Sequence, residues 1–399
     1  MGDFLKRTVA KGRGADINPP GRFESGTTVG FHDGWERDEE APPNPETQFF
    51  AETARSIISG NDSPDIAFSQ SINPYRGCEH GCSYCFARPS HAYVNLSPGL
   101  DFETKIFYKP NAAALLEKEL SHPRYACQQI ALGTNTDPYQ PAERRFGIMR
   151  SLLQVMQRYR QPCSIVTKGA ALIERDLDIL AEMGRAHLAN VAISITSLRD
   201  EIKRTLEPRA ASPRSRLRMV RKLSEAGVPV MVMVAPIIPV ITDGELEDIL
   251  AAAKDAGALA AGYVMLRLPW EVKDVFEAWL NTHHPGKAAH VMSLMRQMHG
   301  GAPQHRAAEG SAQPVDENIQ QPEEPHVSTP APTPYRPNQY YSSEWGVRQR
   351  GSGPFARLFE QRFKLAASRL GLDRWRDLRL DTSQFRVPPK CGDQISLFS

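Results

Sequence analysis

From Asp65 onward, short apolar runs alternate with longer stretches in which apolar residues recur every three or four positions. The runs SQSINP (69–74), IALGT (130–134), SIVTK (164–168), VAISIT (191–196), VPVMVMVAPI (228–237) and YVMLRL (263–268) read as strands. Between them, 111–121, 142–160, 173–184, 212–226 and 243–256 carry the helical period, and 270–282 and 287–298 follow the last strand. Nearly continuous apolar character marks strands buried on both faces, as in a parallel sheet. The alternation predicts an α/β chain folded as a partial, TIM-like (β/α)6 barrel over 65–299, with functional residues at the C-terminal ends of its strands.

The flanks have other textures. Residues 1–64 are rich in Gly, Pro and charge, which predicts an irregular N-terminal arm. Seven prolines between 303 and 334, mixed with Gln, Glu, Ala and Ser, predict a flexible linker over 300–337. A basic helical extension is expected at 338–385, with its helix near 354–371, and a flexible tail at 386–399.

The chain has 399 residues, with 48 Lys+Arg against 46 Asp+Glu, a formal charge of +2. That balance excludes binding by a uniformly cationic surface but leaves room for a local basic groove. Lys203 to Lys222 holds eight Lys/Arg and one acid, Glu207; Gly346 to Leu380 holds nine against three. Such runs are solvated helix faces or contacts for a nucleic-acid backbone. The longest apolar run, Val228 to Ile241, is broken by Pro229, Pro236 and Pro239, so no membrane span is expected. The start has no apolar secretory core, and a cytoplasmic location is expected. No P-loop or dinucleotide-binding glycine pattern is present.

Of six cysteines, Cys78, Cys82 and Cys85 fall within eight residues, while Cys127, Cys163 and Cys391 stand apart. Tight thiol clusters in a reducing compartment serve metal or redox chemistry. Three thiolates can hold three irons of a [4Fe–4S] cube and leave the fourth open to a chelating ligand. The same thiols could hold structural zinc, with His80 or His91 as fourth ligand. Both readings stay open on spacing alone.

The C-x3-C-x2-C pattern after a strand, with Tyr84 and Phe86 flanking the last Cys, resembles the signature of radical S-adenosylmethionine (SAM) enzymes. More narrowly, NPYRGCEHGCSYCFARPSH is similar to the spore photoproduct lyase-like branch, and the resemblance covers roughly 65–300. It implies that Cys78, Cys82 and Cys85 bind a [4Fe–4S] cluster whose open iron takes SAM. An electron from a donor such as flavodoxin or ferredoxin would then release a 5′-deoxyadenosyl radical that abstracts hydrogen from a substrate. The implied SAM contacts are Tyr84, Phe86, Asn135 and Asp137 of GTNTDPYQPAER, Lys168, the alternating Ser194 and Thr196, and Arg216 as partner of the SAM carboxylate. The implied substrate is DNA. One departure stands out. True spore photoproduct lyases return a hydrogen atom from a cysteine after the second strand, whereas Gly133 to Asp137 contains none. Cys127, Cys163 and several tyrosines are the remaining hydrogen donors.

Near the end, Gln394, Leu397 and Phe398 form a Q-x-x-L-F pattern behind Pro388-Pro389. It resembles the peptide with which bacterial repair proteins dock on the β sliding clamp. Two alternatives differ in class: a zinc-stabilised nucleic-acid-binding protein without catalysis, and a radical SAM enzyme acting on RNA, protein or a small molecule.

Overall fold

The computed structural model describes residues 12–23, 46–299 and 339–389. The strands are β1 (Gln48–Ala51), β2 (Ser59–Gly60), β3 (Gln70–Ile72), β4 (Tyr75–Arg76) and β5 (Lys105–Tyr108), then β6 (Ile130–Leu132), β7 (Cys163–Thr167), β8 (Ala189–Ser194), β9 (Val230–Ile237) and β10 (Ala260–Met265). The main sheet runs β10-β9-β8-β7-β6-β3-β2, parallel from β3 to β10, with β2 antiparallel at the edge. Ile130 lies opposite Cys163, and Cys163 opposite Ala189, so these strands start level and deliver their C-terminal ends to one mouth. A small sheet, β1-β5-β4, flanks that mouth.

Helices α1 (Asp101–Thr104) and α2 (Ala112–Leu120) precede β6, and α3 (Glu143–Phe146) and α4 (Ile148–Tyr159) precede β7. Then come α5 (Ala171–Arg175) and α6 (Leu177–Arg185), α7 (Asp200–Leu206) and α8 (Pro213–Glu225), and α9 (Leu246–Asp255) before the last strand. Helices α10 (Val272–His283), α11 (Pro285–His299) and α12 (Gly353–Leu370) follow it. The sequence explains these elements locally. In α4, Ile148, Met149, Leu152, Leu153, Val155, Met156 and Tyr159 recur at helical spacing and are buried. In α8, Ser212 caps the first turn by accepting from the Ser215 N–H, and Pro213 occupies N1. Every residue of β8 is buried, as a central strand covered on both faces requires. Each such Val or Ile stabilises the fold by about 1.5–3 kcal/mol. The result is the expected partial barrel.

An open barrel leaves a raw sheet edge, and the C-terminal extension covers it. The N–H groups of Met265 and Leu268 donate to the Gln349 and Tyr340 carbonyls at 2.9 and 3.2 Å, and that of Ala261 to Leu372 at 3.0 Å. Helix α12 packs Phe359 and Phe363 against Tyr263. Beyond it the chain crosses the floor of the barrel. Asn190 Nδ2 donates to the Leu378 carbonyl at 2.7 Å, and the Arg386 N–H to Tyr159 at 3.0 Å.

The basic extension is thus one α-helix, preceded by turns and followed by two short 3-10 turns at Trp375–Leu378 and Thr382–Gln384. The arm read as irregular holds β1, paired in parallel with β5, and an ordered segment at 12–23. The expected linker at 300–337 lies outside the described residues, as do Gln394, Leu397 and Phe398. No described helix is long and apolar enough to cross a membrane.

Candidate active site

The three cysteines sit in the loop that leaves β4 at the mouth. The Cys78 N–H donates to the Phe102 carbonyl at 2.9 Å, and the Ser83 N–H to Leu206 at 3.1 Å, so the loop is held from both sides. None of the three forms a disulfide; Cys78 and Cys82 are buried and Cys85 partly so. Burial pushes all three thiols up, Cys82 to about 12, where the Glu207 charge adds to the effect and Lys168 opposes it.

Glu207 is the electrostatic centre of this mouth. It is buried and accepts hydrogen bonds from Tyr84 Oη and Arg216 Nη2, and Thr196 Oγ1 lies 2.6 Å from its Oε1. Burial alone would raise its pKa. Arg216, Lys168 and the two hydroxyls outweigh that penalty and hold the carboxyl at about 2. Arg216 is held on three sides: Nε donates to the Ala211 carbonyl and Nη1 to Ser194, both at 2.9 Å, and Nη2 to Glu207. The structure shows Arg216 as counter-ion to Glu207, a task the sequence reading did not assign beside the expected SAM carboxylate. Each of its three nitrogens donates one bond here, which uses three of the five N–H groups.

Asp137 is likewise a structural tie. Its Oδ1 accepts from Thr167 Oγ1 at 2.7 Å and the Tyr139 N–H at 2.9 Å; its Oδ2 accepts from the Lys168 N–H at 2.7 Å and lies 3.4 Å from His80 Nδ1. Burial opposes ionisation, but His80 and these donors hold it at about 2. Asp137 thus joins the end of β7 to the cysteine loop and has little left to offer a cofactor. The turn that aims it depends on Gly133, whose φ is +85°. A Cβ there would stand 2.1 Å from the Val166 carbonyl oxygen.

The other expected contacts divide. The Asn135 amide, the Lys168 ammonium and the Ser194 hydroxyl have no hydrogen-bond partner among the described residues and remain available. Lys168 Nζ lies 5.8 Å from the Tyr84 ring. Thr196 falls beyond the end of β8, not on it, and is engaged with Glu207 and, at 2.8 Å, the Ala235 carbonyl. Tyr84 is buried in the mouth, whereas Phe86 is 40% exposed under the Arg267 guanidinium, 4.1 Å from its centroid. Cys163 opens β7, and Cys127 precedes β6, so both lie at the floor. At about 3.3 Å per residue, Cys163 is roughly 13 Å from the mouth, too far to donate hydrogen there.

Sequence reading passed over Glu207 and Arg267. A lone acid inside a run of eight basic residues was the available signal for the first, and a charge ending the apolar run YVMLRL for the second.

The sequence pattern of the Radical SAM superfamily matches residues 72–253, from β3 through the mouth loops to α9. An uncharacterised protein of Mycobacterium bovis is 38% identical over 234 residues, covering 58% of this chain and 68% of that one. The chain belongs to the radical SAM superfamily. A Methanocaldococcus jannaschii protein, also uncharacterised, is 27% identical over 174 residues, 44% of this chain and 62% of its own. Spore photoproduct lyase structures superpose with 16% identity and a TM-score of 0.45, over 59% of this chain and 66% of theirs. Radical SAM enzymes use a [4Fe–4S] cluster and SAM, and this chain is such an enzyme.

The residues fit those groups. Among the described residues no three His, Cys, Asp or Glu side chains converge where one ion would sit. A cube takes one thiolate per iron and needs no such convergence. The histidines considered for zinc have other tasks. His80 faces Asp137, and His91 Nε2 lies 2.9 Å from the Lys105 carbonyl, with burial holding the ring neutral and its pKa at about 4.

Proposed function

We propose that Cys78, Cys82 and Cys85 hold the [4Fe–4S] cluster and that the enzyme abstracts hydrogen from a nucleic-acid substrate. The observation that carries the first part is a loop of three cysteines without disulfides at the mouth, two buried and one partly so, beside the Lys168 ammonium and a fixed carboxylate. When bound, SAM and the reduced cluster supply a carbon-centred radical. The chain's own part is orientation. Lys168 pairs a carboxylate, Asn135 and Ser194 bond polar groups, and Tyr84 with Glu207 forms one wall. Sealing by β8 and β9 keeps water out, which protects a radical from quenching.

Support for nucleic acid comes from α7 and α8, where Arg204, Arg214 and Arg221 are exposed without carboxylate partners among the described residues. The sequence resemblance to spore photoproduct lyase-like proteins points the same way. A flavodoxin- or ferredoxin-type donor would reduce the cluster, and the Gln394–Phe398 pattern would bring the enzyme to the sliding clamp. Deleting Gln394 to Ser399 should abolish clamp binding; undiminished binding would remove that partner.

Anaerobic EPR of the reconstituted, dithionite-reduced protein tests the central reading. A [4Fe–4S]⁺ signal that changes on adding SAM is expected. A signal indifferent to SAM, or zinc in place of iron, would overturn it. Salt-dependent oligonucleotide affinity that survives Cys→Ser changes supports the substrate class, and its absence favours another substrate.

A further inference from the structure

Residues 12–23 cross the cysteine loop from outside the 72–253 stretch that carries the family pattern. Gly14 and Ala15 donate their N–H groups to the two carboxylate oxygens of Glu103, at 3.0 and 2.9 Å. Glu103 is fully buried and forms an ion pair of 2.5 Å with Arg88, itself fully buried. Arg88 in turn donates Nε to the Cys82 carbonyl at 2.9 Å and Nη1 to Gly99 at 2.8 Å. A buried carboxylate therefore links the segment to the guanidinium that grips the backbone of a cluster cysteine. Without the segment, Glu103 would lose two charge-assisted donors and open to water.

The approach is backbone on backbone. A Cβ on Gly14 would stand 1.6 Å from the Gly81 carbonyl oxygen, and one on Gly99 2.2 Å from that of Ile17. Farther along, Ser97 Oγ donates to the Pro19 carbonyl at 2.5 Å. Farther on, Arg22 pairs with Glu271 at 3.1 Å and lies 4.5 Å from the Trp270 ring and 5.1 Å from Tyr93. Trp270 and Glu271 follow β10, whereas Tyr93 follows the cysteine loop. The segment thus spans from the loop of the first barrel strand to that of the last.

We propose that residues 12–22 form a wall of the cluster site. Through Glu103 and Arg88 they fix the cysteine loop, and by lying across it they keep solvent and oxygen from the thiols. The purpose of this wall rests on the cluster assignment; its geometry does not, and the metal-free protein tests it.

The full-length chain is compared with Gly14→Val, which cannot seat against Gly81, and Arg22→Ala, which releases the far end without touching the loop. In metal-free protein, labelling of each thiol by a soluble reagent is resolved by peptide mass spectrometry. Labelling of Cys78 and Cys82 should rise at least about tenfold in Gly14→Val, the factor carried by two net hydrogen bonds. A smaller rise is expected in Arg22→Ala, and none at Cys163 on the barrel floor. In loaded protein, bleaching of the cluster by air should quicken in the same order. Unchanged labelling of Cys78 and Cys82 in both variants overturns the proposal. A parallel rise at Cys163 in both also overturns it, because the segment would then serve the whole fold and not this loop. Failure of the parent to take up iron would overturn the cluster assignment while the labelling result still decides the wall.

Discussion

The Arg216–Glu207 pair decides between two roles for one arginine, and a double-mutant cycle measures which is right. Arg216→Met leaves the buried Glu207 carboxylate without its paired counter-ion and with only Lys168 nearby, and Glu207→Gln leaves the guanidinium buried without its carboxylate. Both side chains are almost fully buried. Removing one member of such a pair costs about 3–5 kcal/mol. Removing both takes the stranded charge away, so the double variant should be more stable than the sum of the singles by about 2–3 kcal/mol. The assay is urea unfolding of the metal-free protein, followed by fluorescence and circular dichroism with coincident transitions. Metal-free protein matters because cofactor binding would add its own stabilisation. Effects that add within about 0.5 kcal/mol would refute the pairing and return Arg216 to service as a free cation for the cofactor. A cluster-loaded Arg216→Met protein of normal stability but lost SAM affinity would say the same.

Acid should destabilise the metal-free fold in two stages, read by urea unfolding at several pH values. Burial holds the folded His91 at about 4 against an ordinary 6.5, so the unfolded chain binds that proton first and stability falls as pH drops from 6.5 to 4. Glu207 and Asp137 are held at about 2 despite burial, so their contribution is complete above about 4.5 and fades toward pH 2. His91→Asn should reduce the upper slope by up to about 1.4 kcal/mol per pH unit, and an unchanged slope would contradict the assignment. Gly133→Ala should lower stability by about 2–4 kcal/mol, through φ strain and the clash with Val166; a melting temperature equal to the parent's would show that the turn relaxes freely. Lys168→Met should weaken SAM binding by roughly 10–100-fold in calorimetry, as loss of a charged hydrogen bond predicts. Unaltered SAM affinity would remove Lys168 from the site.

The strands of the barrel were legible because they are apolar on both faces, and the cysteine loop because thiol spacing is a local property. Asp137 and Arg216 lie at the mouth, where each carries structural bonds that the sequence does not show. A sequence shows that a charge lies after a strand, but not whether another charge, nine positions away in the case of Glu207 and Arg216, already neutralises it. Thr196 is a separate case: strand alternation was extended two residues past the point where β8 ends at Ser194. The ordered segment at 12–23 was invisible for another reason. Its contacts are backbone N–H groups of Gly14 and Ala15 meeting a carboxylate about 90 residues away, and such contacts leave no mark on side-chain periodicity.

Both chain ends solve a problem that an incomplete barrel creates. A closed barrel has no sheet edges and no lateral opening; six parallel strands leave an edge at β10 and a gap between β10 and the cysteine loop. The extension bonds along β10 through Gln349, Tyr340 and Leu372 and then crosses the floor, so the edge and the lower end are covered by one continuous stretch. Residues 12–22 bridge the gap above, where the thiols lie. The upper seam differs in kind from the lower one. Below, it rests on backbone hydrogen bonds and apolar packing from α12, which resist local opening. Above, it ends in a part-buried ion pair between Arg22 and Glu271 with cation–π contacts around Arg22, less deeply buried than the Glu103–Arg88 pair near Gly14. Opening should therefore begin at Arg22 and proceed toward Gly14, so that a bulky substrate reaching the mouth from this side would displace Arg22 long before it disturbed Glu103.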